Sequence, residues 1–197
     1  MGKLIIIEGI DGSGKTTLIE KLKQYFGDRA HIINYSYPTH GLDMFQKAAE
    51  AYGQYEASIK IFKEILTKNP RAIIICDRFH LGEYAYGIVK RDYPIWLAEE
   101  IFTIEDRLIS EIGRENVLLV ILTVVEPKEA YNRTANRVGE YLKGLGEYIA
   151  IVARYLVAYT KTKLEVLVYH TDMSKNTPEY ICSEILNAIG DFELDHL

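Results

Sequence analysis

An α/β fold, a parallel sheet with helices on both faces, is predicted by three features of this sequence. Short apolar runs too brief for helices alternate along the chain with longer segments patterned at the helical period. The first run, Leu4-Ile5-Ile6-Ile7, passes at once into Gly9-Ile10-Asp11-Gly12-Ser13-Gly14-Lys15-Thr16, and a helical pattern opens at Thr17. Strand, G-x-x-x-x-G-K-T and helix in that order form the setting of a phosphate-binding loop. Finally, the 197 residues contain no repeat, low-complexity stretch or linker, so a single domain over residues 1–197 is expected.

The elements follow in order. Residues 17–26 form a helix with Leu18, Leu22 and Tyr25 on one face, closed by Gly27. A second strand is expected over 31–35, ended by Pro38 and Gly41. Residues 42–68 are helical, read as two helices broken near Gly53. In the second, Tyr55, Ile59, Phe62 and Leu66 repeat at helical spacing. Residues 72–76 are continuously apolar and mostly β-branched, as a central strand buried on both faces requires. A short helix over 81–90 precedes a longer one opened by Pro94, with Leu97, Ile101, Ile104, Leu108 and Ile112 in register and Gly113 at its end. Residues 117–125 are another core strand. Pro127 starts a helix through Arg137, and residues 139–146 are a polar, glycine-rich interruption. Ile149, Val152, Leu156 and Tyr159 mark the next helical stripe. Residues 164–169 form the last strand, and Thr177-Pro178 begins a final helix carrying Ile181, Ile185 and Ile189.

A net charge of −5 without a dominant basic patch argues against a nucleic-acid polymer as partner, yet a small anion needs only a few cations. Cys76 and Cys182 lie far apart without metal-ligand spacing, and so read as reduced thiols. No apolar run approaches the roughly 18 residues of a membrane span, and the opening Met-Gly-Lys-Leu resembles no signal peptide. A cytoplasmic location is expected.

In the loop, glycines permit backbone angles closed to other residues, so successive N–H groups turn inward around phosphate oxygens. Gly9, Asp11, Gly12, Ser13, Gly14, Lys15, Thr16 and Thr17 are the expected phosphate contacts of a nucleoside triphosphate. Lys15 reaches the terminal phosphates and Thr16 offers a hydroxyl to Mg²⁺. Ligands of open α/β sheets sit beyond the carboxyl ends of the strands, which adds Ser36-Tyr37-Pro38, Asp77-Arg78-Phe79 and Glu126. Arg78 is the arginine expected between donor and acceptor phosphates, and Asp77 the carboxylate near the metal. Arg133 and Arg137 share a helix face and lead into the glycine-rich stretch, together a lid over about residues 133–146.

Residues 7–17, Ile7-Glu8-Gly9-Ile10-Asp11-Gly12-Ser13-Gly14-Lys15-Thr16-Thr17, closely resemble the opening of thymidylate kinases and their nucleotide-kinase relatives. Asp77-Arg78-Phe79 with Glu83-Tyr84-Ala85-Tyr86 resembles that family's D-R-[YFH] motif and the aromatic helix behind it. Ser36-Tyr37-Pro38 sits where the family has its proline turn, and Arg137-Val138-Gly139-Glu140-Tyr141 looks like the lid entry of small phage-type members. The resemblance implies a three-layer P-loop kinase fold with five parallel strands in the order 2-3-1-4-5, ATP with Mg²⁺ as donor, and a deoxynucleoside monophosphate as acceptor. It implies that Asp11 faces the acceptor sugar and that Arg78 holds the acceptor phosphate. With Gly12 where some relatives carry a loop arginine, further charge is left to Arg133, Arg137 or Lys143.

Two features depart from the family. Ser36 replaces an arginine common before the turn, and no arginine occurs between Arg29 and Arg71. Tyr52-Gly53-Gln54-Tyr55 instead resembles the glutamine segment with which deoxynucleoside kinases read a base. Tyr37, Pro38, Gln54, Tyr55, Tyr84, Glu140 and Tyr141, with Asp11 and Arg78, are therefore the candidate acceptor contacts, and Tyr52 and Tyr86 further aromatic ones. Three readings stand: a monophosphate kinase, a nucleoside kinase acting on a 5′-hydroxyl, and a non-catalytic nucleotide-binding protein. A homodimer through the 97–112 stripe is a further expectation.

Overall fold

Every apolar run read as a strand pairs with a neighbour in the computed structural model, which describes residues 2–35, 41–135 and 144–190. Strands β1 (Lys3–Gly9), β2 (Ala30–Asn34), β3 (Ile73–Asp77), β4 (Val117–Thr123) and β5 (Glu165–His170) form one sheet in the order β2-β3-β1-β4-β5. All four pairings are parallel. The register sets Ile7 against Asp77, Asn34 against Asp77 and Gly9 against Leu122, so the carboxyl ends of the strands share one edge.

Alternation along the strands divides the core in two. Leu4, Ile6, Ile74, Cys76, Leu119 and Ile121 face α2 (Met44–Lys68), α3 (His80–Lys90), α5 (Thr103–Ile112) and α7 (Leu145–Lys161). Ile5, Ile7, Ile73, Ile75, Leu118, Val120 and Leu122 face α1 (Lys15–Phe26) and α8 (Pro178–Ile189). The remaining helices are α4 (Ile95–Glu99) and α6 (Pro127–Ala135). Among the described residues no helix is long and apolar enough to cross a membrane, and both cysteines are free thiols.

Several expectations need correcting. Residues 44–68 form one continuous helix, not two broken near Gly53. Asp43 caps it, its carboxylate accepting from the Gln46 N–H at 2.9 Å while Gln46 accepts from the Asp43 N–H at 3.0 Å. A mid-helix glycine costs about 1 kcal/mol, less than the burial of Ala51, Tyr55, Ile59, Phe62 and Leu66 returns. The helix expected after Pro94 is split by a 3-10 turn over Glu100–Phe102. Its stripe from Ile101 to Ile112 is buried against this chain's own sheet and α2, so that stripe is no dimer surface. In α1 the core residues are Leu18, Ile19, Leu22 and Phe26, while Tyr25 is exposed.

Helix α7 carries two apolar stripes, and all but Val152 of the residues read from the sequence lie on the outer one. Ile149, Leu156 and Tyr159 are exposed, whereas Tyr148, Ile151, Val152, Tyr155 and Ala158 are buried. The buried face is favoured because both tyrosine hydroxyls find acceptors at the sheet edge, which removes the penalty of burying them. The Tyr148 hydroxyl donates to the Asp11 carbonyl at 2.9 Å and that of Tyr155 to Glu8 Oε2 at 3.2 Å.

Candidate active site

Strand β1 delivers the chain to its carboxyl edge at Gly9, whose φ of 143° lies outside the range of L side chains. A Cβ there would come within 2.2 Å of the Leu122 carbonyl oxygen, so the loop turns over β4 only with glycine. Gly14, at φ 89°, caps α1, and Lys15 begins the helix. The Lys15 ammonium folds back over the loop, donating to the Gly9 and Ile10 carbonyls at 3.0 Å each. Burial, reinforced by the positive charge of Arg78, lowers its pKa to about 7, against the pull of Asp11, Asp77 and Glu8. Thr16 and Thr17 are exposed beside it. A hollow of about 120 Å³ lies against Gly12, Gly14, Thr17, Asn176 and Pro178, beside the loop.

Arg78 comes from the turn after β3, the strand paired with β1. Its φ is 69°, a left-handed conformation that costs a side-chain-bearing residue about 1–3 kcal/mol. The turn is held by Glu8, a fully buried carboxylate in β1, which accepts from the N–H groups of Phe79 at 2.7 Å and Gly82 at 3.1 Å. The Arg78 backbone N–H donates to the Ile7 carbonyl at 2.9 Å. Its guanidinium then crosses to the phosphate loop: Nη1 donates to the Gly9 carbonyl at 2.9 Å and to the Tyr155 hydroxyl at 3.1 Å, and Nη2 pairs with Asp11. Tyr86 of α3 completes the group, its ring centroid 5.0 Å from the guanidinium carbon and its hydroxyl 3.0 Å from Asp11 Oδ2. Lys15, Arg78 and Asp11 are thus gathered at one edge, from the ends of two adjacent strands.

Asp77 ends β3 at the same edge, and its Oδ1 is buried without a hydrogen-bond partner among the described residues; the same is true of Ser13 Oγ. An orphaned carboxylate oxygen behind a lysine and a threonine of the loop fits a hydrated cation with its triphosphate. No group of three His, Cys, Asp or Glu side chains able to cage a metal by itself occurs among the described residues.

The acceptor contacts read from the sequence divide three ways. Tyr55 and Tyr84 are core residues at 1% exposure each: the Tyr55 hydroxyl donates to the Phe79 carbonyl at 3.1 Å, and Tyr84 packs on Phe102. Both rings are engaged in core packing. Gln54 lies on the α2 side away from that core, its amide 3.5 Å from Glu50. Ser36, Tyr37, Pro38, Arg137, Glu140, Tyr141 and Lys143 lie outside the described residues, as does the side chain of Arg133, whose backbone belongs to α6. Glu126 gives its N–H to Asp172 at 2.7 Å, a tie between the loops after β4 and β5. Glu8, Tyr148 and Tyr155 were not singled out from the sequence. Glu8 did carry a signal, as the lone carboxylate of an otherwise apolar strand.

No family model matches the chain. Over 111 residues it is 28% identical to a probable thymidylate kinase of Staphylothermus marinus, a stretch covering 50% of this chain and 56% of that protein, so the match spans about half the length of its curated relative. Among solved structures, the YorR protein of Bacillus subtilis in complex with phosphorylated GDP aligns over 95% of this chain and 96% of its own, with TM-score 0.65 and 23% identity. Thymidylate kinase of Candida albicans aligns over 96% and 91%, with TM-score 0.65 and 18% identity. That of Ehrlichia chaffeensis aligns over 95% and 98%, with TM-score 0.60 and 18% identity. The chain is similar to thymidylate kinases and has their fold, that of the P-loop kinases.

Proposed function

We propose that this protein is a nucleotide kinase that transfers the γ-phosphoryl group of ATP to the 5′-phosphate of a deoxynucleoside monophosphate. The observation that carries the reading is the meeting of Lys15 and Arg78 at one sheet edge, with the Arg78 guanidinium bonded to the Gly9 carbonyl of the phosphate loop. Bringing two polyanions into line is chiefly a matter of position and opposing charge. The loop amides from Gly9 to Thr17 bind the donor phosphates, with Lys15 on the terminal ones. Arg78 draws the acceptor phosphate against them, and Asp11 meets the acceptor sugar. Thr16 and Asp77 would hold Mg²⁺, which would neutralise phosphate charge when bound. The acceptor phosphate is already ionised, so no general base is needed. Further opposing charge is assigned to Arg133 and Arg137 as lid cations within the same single domain. The likeness to thymidylate kinases supports this reaction class, and the complex of YorR with phosphorylated GDP supports a nucleotide ligand for the fold.

Gln54, the feature that spoke for a nucleoside acceptor, lies 3.5 Å from Glu50 on the same helix. The monophosphate reading is preferred because Arg78 sets a fixed cation against the phosphate loop. A coupled ADP-release assay with ATP, Mg²⁺ and a panel of deoxynucleosides and their monophosphates tests it. Turnover is expected with monophosphates and lost by 10²–10³-fold in Lys15→Met and Arg78→Ala, the usual scale for removing a charge donor. Turnover with nucleosides alone would overturn the assignment.

A further inference from the structure

Within the phosphate loop the chain reverses over residues 10–13. The Ser13 N–H donates to the Ile10 carbonyl at 3.2 Å, which closes a β-turn with Asp11 and Gly12 at its central positions. Gly12 has φ 78°. Apart from glycines, only Arg78 and Asp92 have positive φ among the described residues, so Asp11 keeps a negative one and the turn is type II. A type I turn of the same residues differs from it mainly by a half-rotation of the central peptide, the one joining Asp11 to Gly12. Glycine takes either sign of φ, so both forms are open to this loop.

The direction of that peptide is set from outside the loop. Its carbonyl, that of Asp11, accepts from the Tyr148 hydroxyl at 2.9 Å. A peptide is planar and trans, so its N–H, that of Gly12, points the opposite way, away from α7. Gly12 borders the hollow beside the loop. Tyr148 is fully buried, and its ring stands edge-on to Tyr131 of α6 with centroids 5.7 Å apart. The preceding residue, Glu147, pairs with Lys90 of α3 at 2.7 Å. Packing and an ion pair thus hold the hydroxyl in place independently of the loop. The Asp11 carboxylate is tied to Arg78 and Tyr86, but those bonds fix the side chain and not the direction of the carbonyl.

We propose that Tyr148 is a positioning residue of the phosphate loop: by holding the Asp11 carbonyl it keeps the type II turn and aims the Gly12 N–H at the donor phosphates. The proposal rests on the kinase reading above for the identity of the ligand. A nest of backbone N–H groups binds an anion only when each points inward. With the peptide turned over, the loop would offer the phosphates a carbonyl oxygen in place of a donor.

Tyr148→Phe keeps the ring and its packing and removes only the hydroxyl. In calorimetric titration of the full chain without acceptor, this variant should bind ATP with Mg²⁺ about 3–10-fold more weakly than wild type, the scale of one hydrogen bond. Inorganic tripolyphosphate, which has neither base nor sugar, should lose affinity by the same factor. In steady-state assays the KM for ATP should rise with the acceptor KM unchanged, a split that lost packing alone would not produce. Gly12→Ala provides the second arm. A side chain there disfavours positive φ and with it the type II turn, so this variant should itself weaken ATP by about tenfold. Adding Tyr148→Phe to it should then cost about twofold at most, because the peptide has already turned. The assignment is overturned if Tyr148→Phe binds ATP and tripolyphosphate as wild type does, whatever its melting temperature, or if its loss is undiminished in the Gly12→Ala background. The kinase reading stands or falls separately, on turnover of monophosphates by the wild-type protein.

Discussion

Lys15 and Arg78 show how burial and charge prepare single residues for their ligands. Lys15 gives up most of its contact with water, and its pKa falls to about 7 in the folded chain from 10.5 in an open one. Between those values the unfolded lysine holds a proton that the folded one does not, so this group makes stability rise with pH across that window. In urea unfolding from pH 7 to 10, wild type should therefore gain on Lys15→Met, by at most about 1.4 kcal/mol per pH unit. Equal pH slopes for the two proteins would contradict the shift. Arg78 owes its place to neighbours that touch no phosphate: Glu8 holds the turn, and the Tyr155 hydroxyl bridges Glu8 and the guanidinium. Tyr155→Phe should lower kcat about 2–10-fold, as expected from one lost hydrogen bond, and steady-state kinetics should show the KM for ATP unchanged. A kcat equal to wild type would show that Arg78 needs no such support. The sequence displayed Lys15 and Arg78 within motifs, but nothing local told that Tyr155 would reach them across so many intervening residues.

Among the elements, α2 and α3 make opposite use of glycine. Gly53 sits in the exposed middle of α2 with no atom within 4 Å of a built Cβ. Gly53→Ala should stabilise the protein by about 0.5–1 kcal/mol, measured as a higher urea midpoint at constant slope. Gly87 in α3 lies where a Cβ would meet the Tyr93 ring at 2.4 Å, so Gly87→Ala should destabilise by about 1–3 kcal/mol in the same measurement. Sequence periodicity placed the buried stripe of residues 55–66 correctly, because that helix has a single apolar face. It chose the wrong stripe on α7, because that helix has two, and the choice between them turned on hydroxyl partners at the loop.

For the whole molecule, a buried polar strut ties the first turn of α3 to α5 and to the end of α7. His80 Nε2 and Glu105 Oε1 are 2.6 Å apart and both side chains are fully buried. Glu105 also accepts from the Thr162 hydroxyl at 2.7 Å and the Lys163 N–H at 2.6 Å. Burial alone would raise the Glu105 carboxyl, but these hydrogen bonds outweigh it and hold the group below its ordinary 4.5. A lowered carboxylate contributes stability above that value and loses it as pH falls through the folded one. Glu105→Gln should therefore be less stable than wild type at pH 7 and show a shallower loss below pH 4.5 in thermal melts. Parallel acid profiles would show that the strut does not titrate.

The fold and the phosphate edge were written into the chain itself. Strand-length apolar runs, helical stripes and a glycine-spaced loop are local patterns, and backbone sterics with hydrophobic burial act on them locally. The family resemblance then supplied the strand order. Which carboxylate holds Arg78 and which face of α7 turns inward were decided only when distant segments met, because each depends on a polar group finding its partner from another part of the chain.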